Sequence, residues 1–166
     1  MRRYIYKKHF KKFEQKITIG DFVKITEPRN ILIGENTTFL SGDFLYAHDK
    51  GSIDIGKNCS FNSNVILDAS QNGVIKIYDN CLIGPNVVFR AADHKFNRKK
   101  ANINSQGHNR GVITVQKNVW IGANCVITRN VTISEGCVVG AGSIVTKNLP
   151  AYTVCCGVPA REIRKR

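Results

Sequence analysis

The sequence predicts an all-β fold, a parallel β-solenoid with one protruding loop and a short C-terminal tail or helix. Three observations predict it. Apolar residues recur at every sixth position, three such hexads make one coil, and one coil is enlarged by an insertion. A fixed short period is typical of repeat architectures, in which each coil packs only on its neighbours.

The hexads are clearest in the second half of the chain, where one apolar residue begins each of them. These residues are Val115, Ile121, Ile127, Ile133, Val139 and Val145. The fifth residue of each hexad is apolar or small, and these are Val119, Cys125, Val131, Cys137, Ser143 and Leu149. A period of six fits neither a helix nor an isolated strand, but it fits one hexad on each of three flat faces per coil.

Residues one coil apart are predicted to stack in three inward-facing columns. The columns are Ile33, Ile55, Ile77, Val115 and Ile133; then Phe39, Phe61, Ile83, Ile121 and Val139; then Leu45, Leu67, Phe89, Ile127 and Val145. All fifteen residues are apolar, so the columns predict one continuous core.

The coil length departs from three hexads in an ordered way. Between Ile33 and Ile77, successive members of the first column are separated by three hexads and a four-residue bulge. The bulges end at Gly51 and Gly73, but the next equivalent glycine, Gly111, follows much later than this spacing predicts. The insertion therefore forms a loop at about 91–110, and a long loop on a rigid scaffold is a common place for function.

The chain is predicted to be one domain with two short flanks. Residues 1–16 form a basic segment with room for a short helix, and residues 17–150 form the solenoid. The first coil, 17–32, is irregular because Pro28 interrupts it, and Pro150 ends the solenoid. Residues 151–166 form a tail whose last seven residues are a short basic helix or fray.

Composition limits the classes of function. The chain has no apolar run long enough to cross a bilayer, and its start lacks the apolar core of a signal peptide, so neither a membrane span nor secretion is expected. The net charge of +13 favours anionic ligands or surfaces. No nucleic-acid motif accompanies it, so we expect no nucleic-acid partner, and the basic N-terminal run is either solvated or in loose contact with an anionic membrane face.

The cysteines are predicted to be buried free thiols. Cys59, Cys81, Cys125 and Cys137 all occupy the fifth hexad position, where small inward-facing residues belong. A reducing, cytoplasmic location is the simplest interpretation, although stacking of Cys59 on Cys81 leaves a disulfide between them open.

Three stretches in the second half of the chain carry a family resemblance. Residues 119–124 (VWIGAN), 140–147 (GAGSIVTK) and 157–161 (GVPAR) resemble the hexapeptide-repeat acyltransferases, in particular the maltose/galactoside and capsular-polysaccharide O-acetyltransferase group. The resemblance implies a left-handed β-helix, a homotrimer with active sites between subunits, and acetyl-CoA as co-substrate without a metal. The basic segment at the start departs from the maltose type.

Acetyl transfer to a sugar hydroxyl needs a general base, because a hydroxyl is a poor nucleophile at neutral pH. Histidine suits this role, and the resemblance places the base at His94, at the start of the loop. His108 lies in the same loop, and contact with substrate or with a neighbouring subunit stays open for it. The oxyanion of the tetrahedral intermediate would accept a hydrogen bond from a backbone N–H of the segment Gly122–Ala123.

The resemblance also implies a coenzyme A site. Ala123 and Ala141, three hexads apart, would leave room for the pantetheine arm. Four further residues would contact the nucleotide phosphates. For the two arginines among them, the alternative is that they belong to an ordinary basic tail. The four residues are Thr146, Lys147, Arg161 and Arg164.

The acceptor site is predicted less sharply. Trp120 should point outward and either form a wall for pantetheine and acceptor or pack against another subunit. Asn64 and Asn86 either bind sugar hydroxyls or form an asparagine ladder at a corner, and Asp93 either orients His94 or caps the loop. Gln106 and Gly107 resemble a motif of polysaccharide O-acetyltransferases, with no role assigned.

The sequence therefore predicts an acetyl-CoA-dependent O-acetyltransferase of polysaccharide biosynthesis, acting on a sugar or glycan precursor. N-acetylation of an amino sugar or nucleotide sugar and O-acetylation of an antibiotic use the same machinery and stay open. Two other classes are remote. A γ-carbonic-anhydrase-like enzyme needs three histidines converging on zinc, for which the spacing is unsuited, and a non-catalytic trimeric scaffold would not need His94.

Overall fold

A computed structural model describes residues 9–166, and in it each coil contributes one strand to each of three sheets. The strands from successive coils pair in parallel, and only the last strand of sheet 2 is antiparallel. Sheet 1 comprises β1 (Lys12–Phe13), β4 (Ile31–Ile33), β7 (Ser52–Ile55), β10 (Val74–Ile77), β15 (Val112–Val115) and β18 (Val131–Ile133). Sheet 2 comprises β2 (Thr18–Ile19), β5 (Thr38–Phe39), β8 (Ser60–Phe61), β11 (Leu82–Ile83), β16 (Trp120–Ile121), β19 (Val138–Val139), β21 (Thr153–Gly157) and β22 (Ala160–Lys165). Sheet 3 comprises β3 (Lys24–Thr26), β6 (Phe44–Tyr46), β9 (Ile66–Asp68), β12 (Val88–Arg90), β17 (Val126–Ile127) and β20 (Ile144–Val145). The three sheets form a triangular prism of six coils, and we name its corners 1/2, 2/3 and 3/1 after the sheets that meet there.

The three predicted columns are confirmed as the core. Strand register pairs Ile55 with Ile77 and Ile77 with Val115, and in sheet 2 it pairs Phe61 with Ile83. All fifteen column residues are at most 3% exposed. The apolar side chains fill the centre of the prism, and their removal from water stabilises the fold.

The corners are held by asparagines in the left-handed region of backbone conformation, which asparagine tolerates better than most residues. At the 2/3 corner the side-chain amide of Asn64 donates to Asn86, and that of Asn86 donates to Asn124. All three have φ between 57° and 61°. A similar ladder at the 1/2 corner joins Asn36 to Asn58 and Asn58 to Asn80.

The N-terminal end of the solenoid begins earlier than residue 17. Strand β1 pairs with β4, and Phe10 and Phe13 are buried against the core. A 3-10 helix at Pro28–Asn30 fills the 3/1 corner where the first coil was predicted to be irregular. Residues 1–8, with most of the predicted basic segment, lie outside the described residues.

The C-terminal end corrects two predictions. Pro150 does not end the sheet, because β21 pairs in parallel with β19 and extends sheet 2. The last residues form neither a helix nor a frayed tail, because β22 turns back and pairs antiparallel with β21. Without β22 the backbone of β21 would be an open sheet edge, and pairing satisfies those groups.

The cysteines match the prediction of free thiols. All six are unbridged, so Cys59 and Cys81 form no disulfide. The pKa of Cys125 is raised by burial, and that of Cys81 by a hydrogen bond with Cys59 and by burial. These thiols therefore pack as small apolar side chains.

Candidate functional site

The inserted loop leaves the prism at the 3/1 corner as a two-stranded hairpin, as the shifted glycine spacing predicted. Its strands are β13 (Ala92–His94) and β14 (His108–Arg110), and a 3-10 helix covers Ile103–Ser105. At the root of the hairpin, Gly111 has no room for a side chain, since an added Cβ would lie 2.5 Å from Asn130 Oδ1. The corner of the following coil therefore packs directly against the loop.

His94 ends the first strand of the hairpin and is exposed to solvent. The antiparallel register places His108 opposite it, and the two imidazole rings lie 4.2 Å apart between centroids with a 42° tilt. His108, whose role was left open, thus contacts the predicted base. His94 is therefore an exposed candidate base whose ring packs against the imidazole of His108.

Two ion pairs fix the base of the loop to the prism. Asp93 accepts a hydrogen bond from Arg129 Nε at 2.6 Å, and Arg129 lies on the 3/1 corner of the next coil. Arg90, just before the hairpin, pairs with Asp68 of the previous coil. Asp93 therefore ties the loop to its neighbour, and no pattern in the sequence indicated Arg129 as its partner.

Gln106 holds the far part of the loop in shape. Its side chain is 7% exposed, accepts the Arg98 N–H at 3.0 Å and donates to the carbonyls of Arg98 and Ala101 at 3.1 and 3.0 Å. Gly107 follows with φ of +77°, a conformation that favours glycine, and its carbonyl accepts the Lys95 N–H at 2.9 Å. The Gln106–Gly107 motif thus has a structural role that the sequence did not indicate.

Trp120 and the predicted pantetheine residues lie on a different side of the prism. Trp120 is 54% exposed on the outer face of sheet 2, beside Leu82, which is 53% exposed. Ala123 and Ala141 occupy successive turns of the 2/3 corner, where the Gly142 N–H donates to the Ala123 carbonyl at 2.8 Å. The Gly122 N–H is engaged by the Val139 carbonyl at 2.8 Å, so within the predicted oxyanion segment only the Ala123 N–H remains as a candidate donor.

The predicted phosphate contacts are divided between two places. Thr146 and Lys147 follow β20 at the 3/1 corner, and both are exposed. Arg161 and Arg164 are exposed on β22, at the C-terminal edge of sheet 2. One chain therefore presents the cations Lys147, Arg161 and Arg164 at two separate places around its C-terminal end.

Asn64 and Asn86 belong to the ladder of the 2/3 corner. Strand β12 separates Asn86 from the loop, so the asparagines lie at the opposite end of sheet 3 from His94. Their side-chain amides are engaged by each other and by Asn124. The geometry accounts for them as corner residues.

Within one chain, His94 and Trp120 face away from each other. The 3/1 corner, which carries His94, is opposite the face of sheet 2, which carries Trp120. A cavity of about 350 Å³ at the loop root is lined by Arg110, Val112 and Asn130 among others and includes neither residue. Among residues 9–166, no group of three or more His, Cys, Asp or Glu side chains is placed to hold a metal ion.

Comparison with known proteins connects this geometry to a family. The family profile for the bacterial transferase hexapeptide (six repeats) matches residues 113–147. The solved structure of a maltose O-acetyltransferase from Clostridium difficile 630 is 30% identical, with a TM-score of 0.65 over 99% of this chain and 74% of that one. The chain belongs to the hexapeptide-repeat acyltransferase family. The likeness also confirms the predicted left-handed parallel β-helix.

Other hexapeptide-repeat proteins show a wider range of acceptors. A galactoside O-acetyltransferase of Escherichia coli K12 is 55% identical over 53 residues, which are 32% of this chain and 26% of that protein. The match thus spans about a quarter of this curated relative. An N-acyltransferase variant, AntD of Bacillus cereus, in complex with dTDP-4-amino-4,6-dideoxyglucose and coenzyme A, is 27% identical with a TM-score of 0.89 over 100% of this chain and 89% of that one. A hexapeptide-repeat acetyltransferase of Vibrio cholerae, VCA0836, complexed with acetyl coenzyme A, is 26% identical with a TM-score of 0.69 over 99% and 75%.

Within residues 9–166 the structure contains no helix with the length and apolarity that a membrane crossing requires.

Proposed function

We propose that this protein transfers the acetyl group of acetyl-CoA to a hydroxyl of a sugar or glycan precursor, with His94 as the general base. One observation carries the proposal: an exposed histidine is fixed at the start of the loop that interrupts a hexapeptide-repeat solenoid. The O-acetyltransferases among its relatives support the choice of reaction. The use of acetyl-CoA is the reason for including a cytoplasmic location in the proposal. The proposed glycan-precursor acceptor is the reason for including a place in polysaccharide biosynthesis.

In the proposed reaction, the imidazole of His94 takes the proton of the acceptor hydroxyl as its oxygen attacks the thioester carbonyl. The tetrahedral oxyanion accepts a hydrogen bond from the Ala123 N–H. When the C–S bond breaks, the departing thiolate takes the proton from the His94 imidazolium. The acetyl ester and free coenzyme A are the products, and no covalent enzyme intermediate is formed.

Coenzyme A binding is proposed for the exposed residues of the 2/3 corner and the C-terminal end. The small side chains of Ala123 and Ala141 leave space for pantetheine beside Trp120. The phosphates would meet the Thr146 hydroxyl and the cationic groups of Lys147, Arg161 and Arg164, which suit charge-assisted hydrogen bonds. Asp93 lies next to His94, and Asn64 and Asn86 lie on the 2/3 corner that carries Ala123, so these positions are the basis for proposing them as acceptor-side residues. All three side chains are already hydrogen-bonded within the chain.

The active site is proposed to form between subunits of a homotrimer. His94 and Trp120 diverge within one chain, so a second copy has to bring its sheet 2 face to the loop of the first. The exposed Trp120 and Leu82 on that face, and the 72% exposed Phe96 on the loop, provide apolar surface for such a contact.

N-acylation is the second candidate. The AntD structure covers the whole chain with a higher TM-score than the maltose enzyme, and it is in complex with an amino sugar linked to a nucleotide. The same base and the same coenzyme site would serve an amine nucleophile. The two reactions would differ only in the residues that bind the acceptor and so select a hydroxyl or an amine as nucleophile.

The first experiment measures release of free coenzyme A from acetyl-CoA with panels of neutral sugars, nucleotide sugars and amino sugars. For the best acceptor, His94→Asn is expected to lower kcat/KM by roughly 10²- to 10⁴-fold. His48→Asn is the matched control, because His48 is an exposed histidine on a bulge of another coil. Equal rates for His94→Asn and the wild-type protein would refute the assignment of the base.

The second experiment tests the shared site by mixing two inactive variants, His94→Asn and Trp120→Ala. After unfolding and refolding together in equal amounts, about a quarter of inter-subunit sites would combine an intact His94 with an intact Trp120 of the neighbour. About a quarter of wild-type activity is therefore expected. A site contained within one chain would give none.

A further inference from the structure

The inserted loop carries a dense positive charge. Between residues 94 and 110 it has the five cationic residues Lys95, Arg98, Lys99, Lys100 and Arg110 and no acidic residue. Two carboxylates at its base, Asp93 and Asp68, are each paired with an arginine of the prism. Among the carboxylates of residues 9–166, none is therefore seen paired with a cation of the loop itself at the side of His94.

The most basic part of the loop is a built turn. The Ala101 N–H donates to the Arg98 carbonyl at 3.1 Å, which closes a turn that presents Lys99 and Lys100 at its tip. Gln106 holds this turn through three hydrogen bonds of 3.0 to 3.1 Å and is itself buried. A turn held in this way loses little conformational entropy when its side chains bind a ligand.

The turn is close in the chain to the proposed base. The hairpin that carries His94 and His108 ends with the bond from the Lys95 N–H to the Gly107 carbonyl, at 2.9 Å. Gln106 directly precedes Gly107, so the residue that clamps the basic turn is adjacent to the last bond of the hairpin. The orientation of the turn is thereby coupled to that of His94.

The cations of the loop are separate from those proposed for coenzyme A. The loop leaves the fourth coil, whereas Lys147 follows the sixth coil and Arg161 and Arg164 lie on β22. Two coils correspond to about 10 Å along the axis of the prism. A second anionic group, belonging to the acceptor, would match the loop cations.

We infer that the acceptor carries a phosphate or diphosphate ester, which Lys99 and Lys100 bind while its sugar lies at His94. Gln106 is the positioning residue of this anion site. The inference rests on the proposed function for the identity of the acceptor. A diphosphate could belong to a nucleotide-linked sugar or to a lipid-linked sugar, and both present the same chemistry to the turn.

Binding of uridine diphosphate, measured by titration calorimetry, tests the inference without any acetyl transfer. Lys99→Ala combined with Lys100→Ala is expected to weaken binding roughly tenfold or more, because two charge-assisted contacts are lost. The matched control combines Lys57→Ala with Lys76→Ala, which removes the same charge from exposed residues elsewhere on the prism. Gln106→Ala keeps every cation and is expected to weaken binding while leaving the dependence of affinity on salt unchanged.

A second arm measures co-sedimentation with phosphatidylcholine vesicles that contain or lack polyprenyl diphosphate. Lysine-dependent binding to the diphosphate-bearing vesicles, without binding of uridine diphosphate, would support the lipid-linked source. Equal affinity of the double lysine variant and the wild-type protein for both probes would overturn the inference. A rise in KM for acetyl-CoA in that variant, with the KM for the acceptor unchanged, would overturn it too, because the turn would then serve coenzyme A. Lysine-dependent binding of diphosphate by a protein that transfers no acetyl group would instead refute only the proposed function.

Discussion

Asp43 offers a sharp test of the core, because it places a carboxyl group inside the prism. It occupies the inward-facing fifth position of its hexad, in a column with Val65, Val87 and Cys125, and is 0% exposed. Its Oδ1 accepts the Val65 N–H at 2.8 Å, and Oδ2 has no hydrogen-bond partner among the described residues. Burial disfavours the charged form and raises the pKa of Asp43 from 3.8 to about 7.

The raised pKa makes stability depend on pH in a defined direction. Between pH 4 and 7 the unfolded chain releases the Asp43 proton while the folded chain keeps it, so the contribution of Asp43 to the free energy of unfolding falls as pH rises. The pKa lies about 3 units above its ordinary value, and 1.36 kcal/mol per unit gives a ceiling of about 4 kcal/mol at pH 8. Below about pH 3 the carboxyl is largely protonated in both states and the contribution vanishes.

Asp43→Asn removes the ionisation and keeps an oxygen that accepts the Val65 N–H. The variant is expected to match the wild-type protein within about 1 kcal/mol near pH 4 and to exceed its stability by up to about 4 kcal/mol at pH 8. Urea unfolding followed by circular dichroism, at one protein concentration and at several pH values, measures the difference. Asp49→Asn, an exposed aspartate in the same coil, is the control. Parallel stability curves for wild type and Asp43→Asn between pH 4 and 8 would refute the reasoning.

Two further predictions concern coenzyme A and the thiols. Trp120 is the sole tryptophan and is 54% exposed, so addition of acetyl-CoA is expected to change the intrinsic fluorescence, and an unchanged spectrum at saturating acetyl-CoA would contradict its place in the coenzyme site. Of the six free cysteines only Cys156 is not fully buried, so a thiol reagent should label one equivalent rapidly and the other five only after unfolding. Burial raises the pKa of Cys137 to about 12, which further slows its reaction, and rapid labelling of several thiols in the folded protein would show that the prism opens.

The regular part of the fold could be predicted because the hexad period alone determines which residues stack. The hand of the helix could not, since a period of six is the same for either hand, and it came from the resemblance to a family. Strand β22 was missed because residues 160–165 lack the alternation of apolar and polar residues that is typical of a strand. They form a strand by pairing with β21. The hexad pattern does place Asp43 at an inward fifth position, but the pattern alone does not show that its Oδ1 is satisfied by the Val65 N–H or that burial raises its pKa.

The candidate site was predictable in position and not in detail. The displaced glycine at residue 111 located the insertion, and with it His94. The contact of His94 with His108 depends on the register of the hairpin, and that register depends on the left-handed conformation of Gly107, which no repeat pattern encodes. The pairing of Asp93 with Arg129 joins residues 36 positions apart on successive corners, and only the closed coil brings them together.

The geometry of the prism gives a physical reason for the proposed dependence on a second copy. The three sheets place the loop and the outer face of sheet 2 on different sides of the prism. Corner N–H groups such as those of Gly122 and Gly142 already donate to carbonyls of neighbouring coils. A thioester under attack has to be held close to both a base and an oxyanion donor. In the proposed mechanism the 3/1 corner supplies the base, His94, and the opposite side supplies the oxyanion donor, the Ala123 N–H beside Trp120, so one rigid prism does not bring both to the same carbonyl. In the proposed homotrimer, a protruding loop that reaches from one prism to the sheet 2 face of another would overcome this limit. The recovery of activity from mixed His94→Asn and Trp120→Ala subunits therefore tests the mechanism and the assembly together.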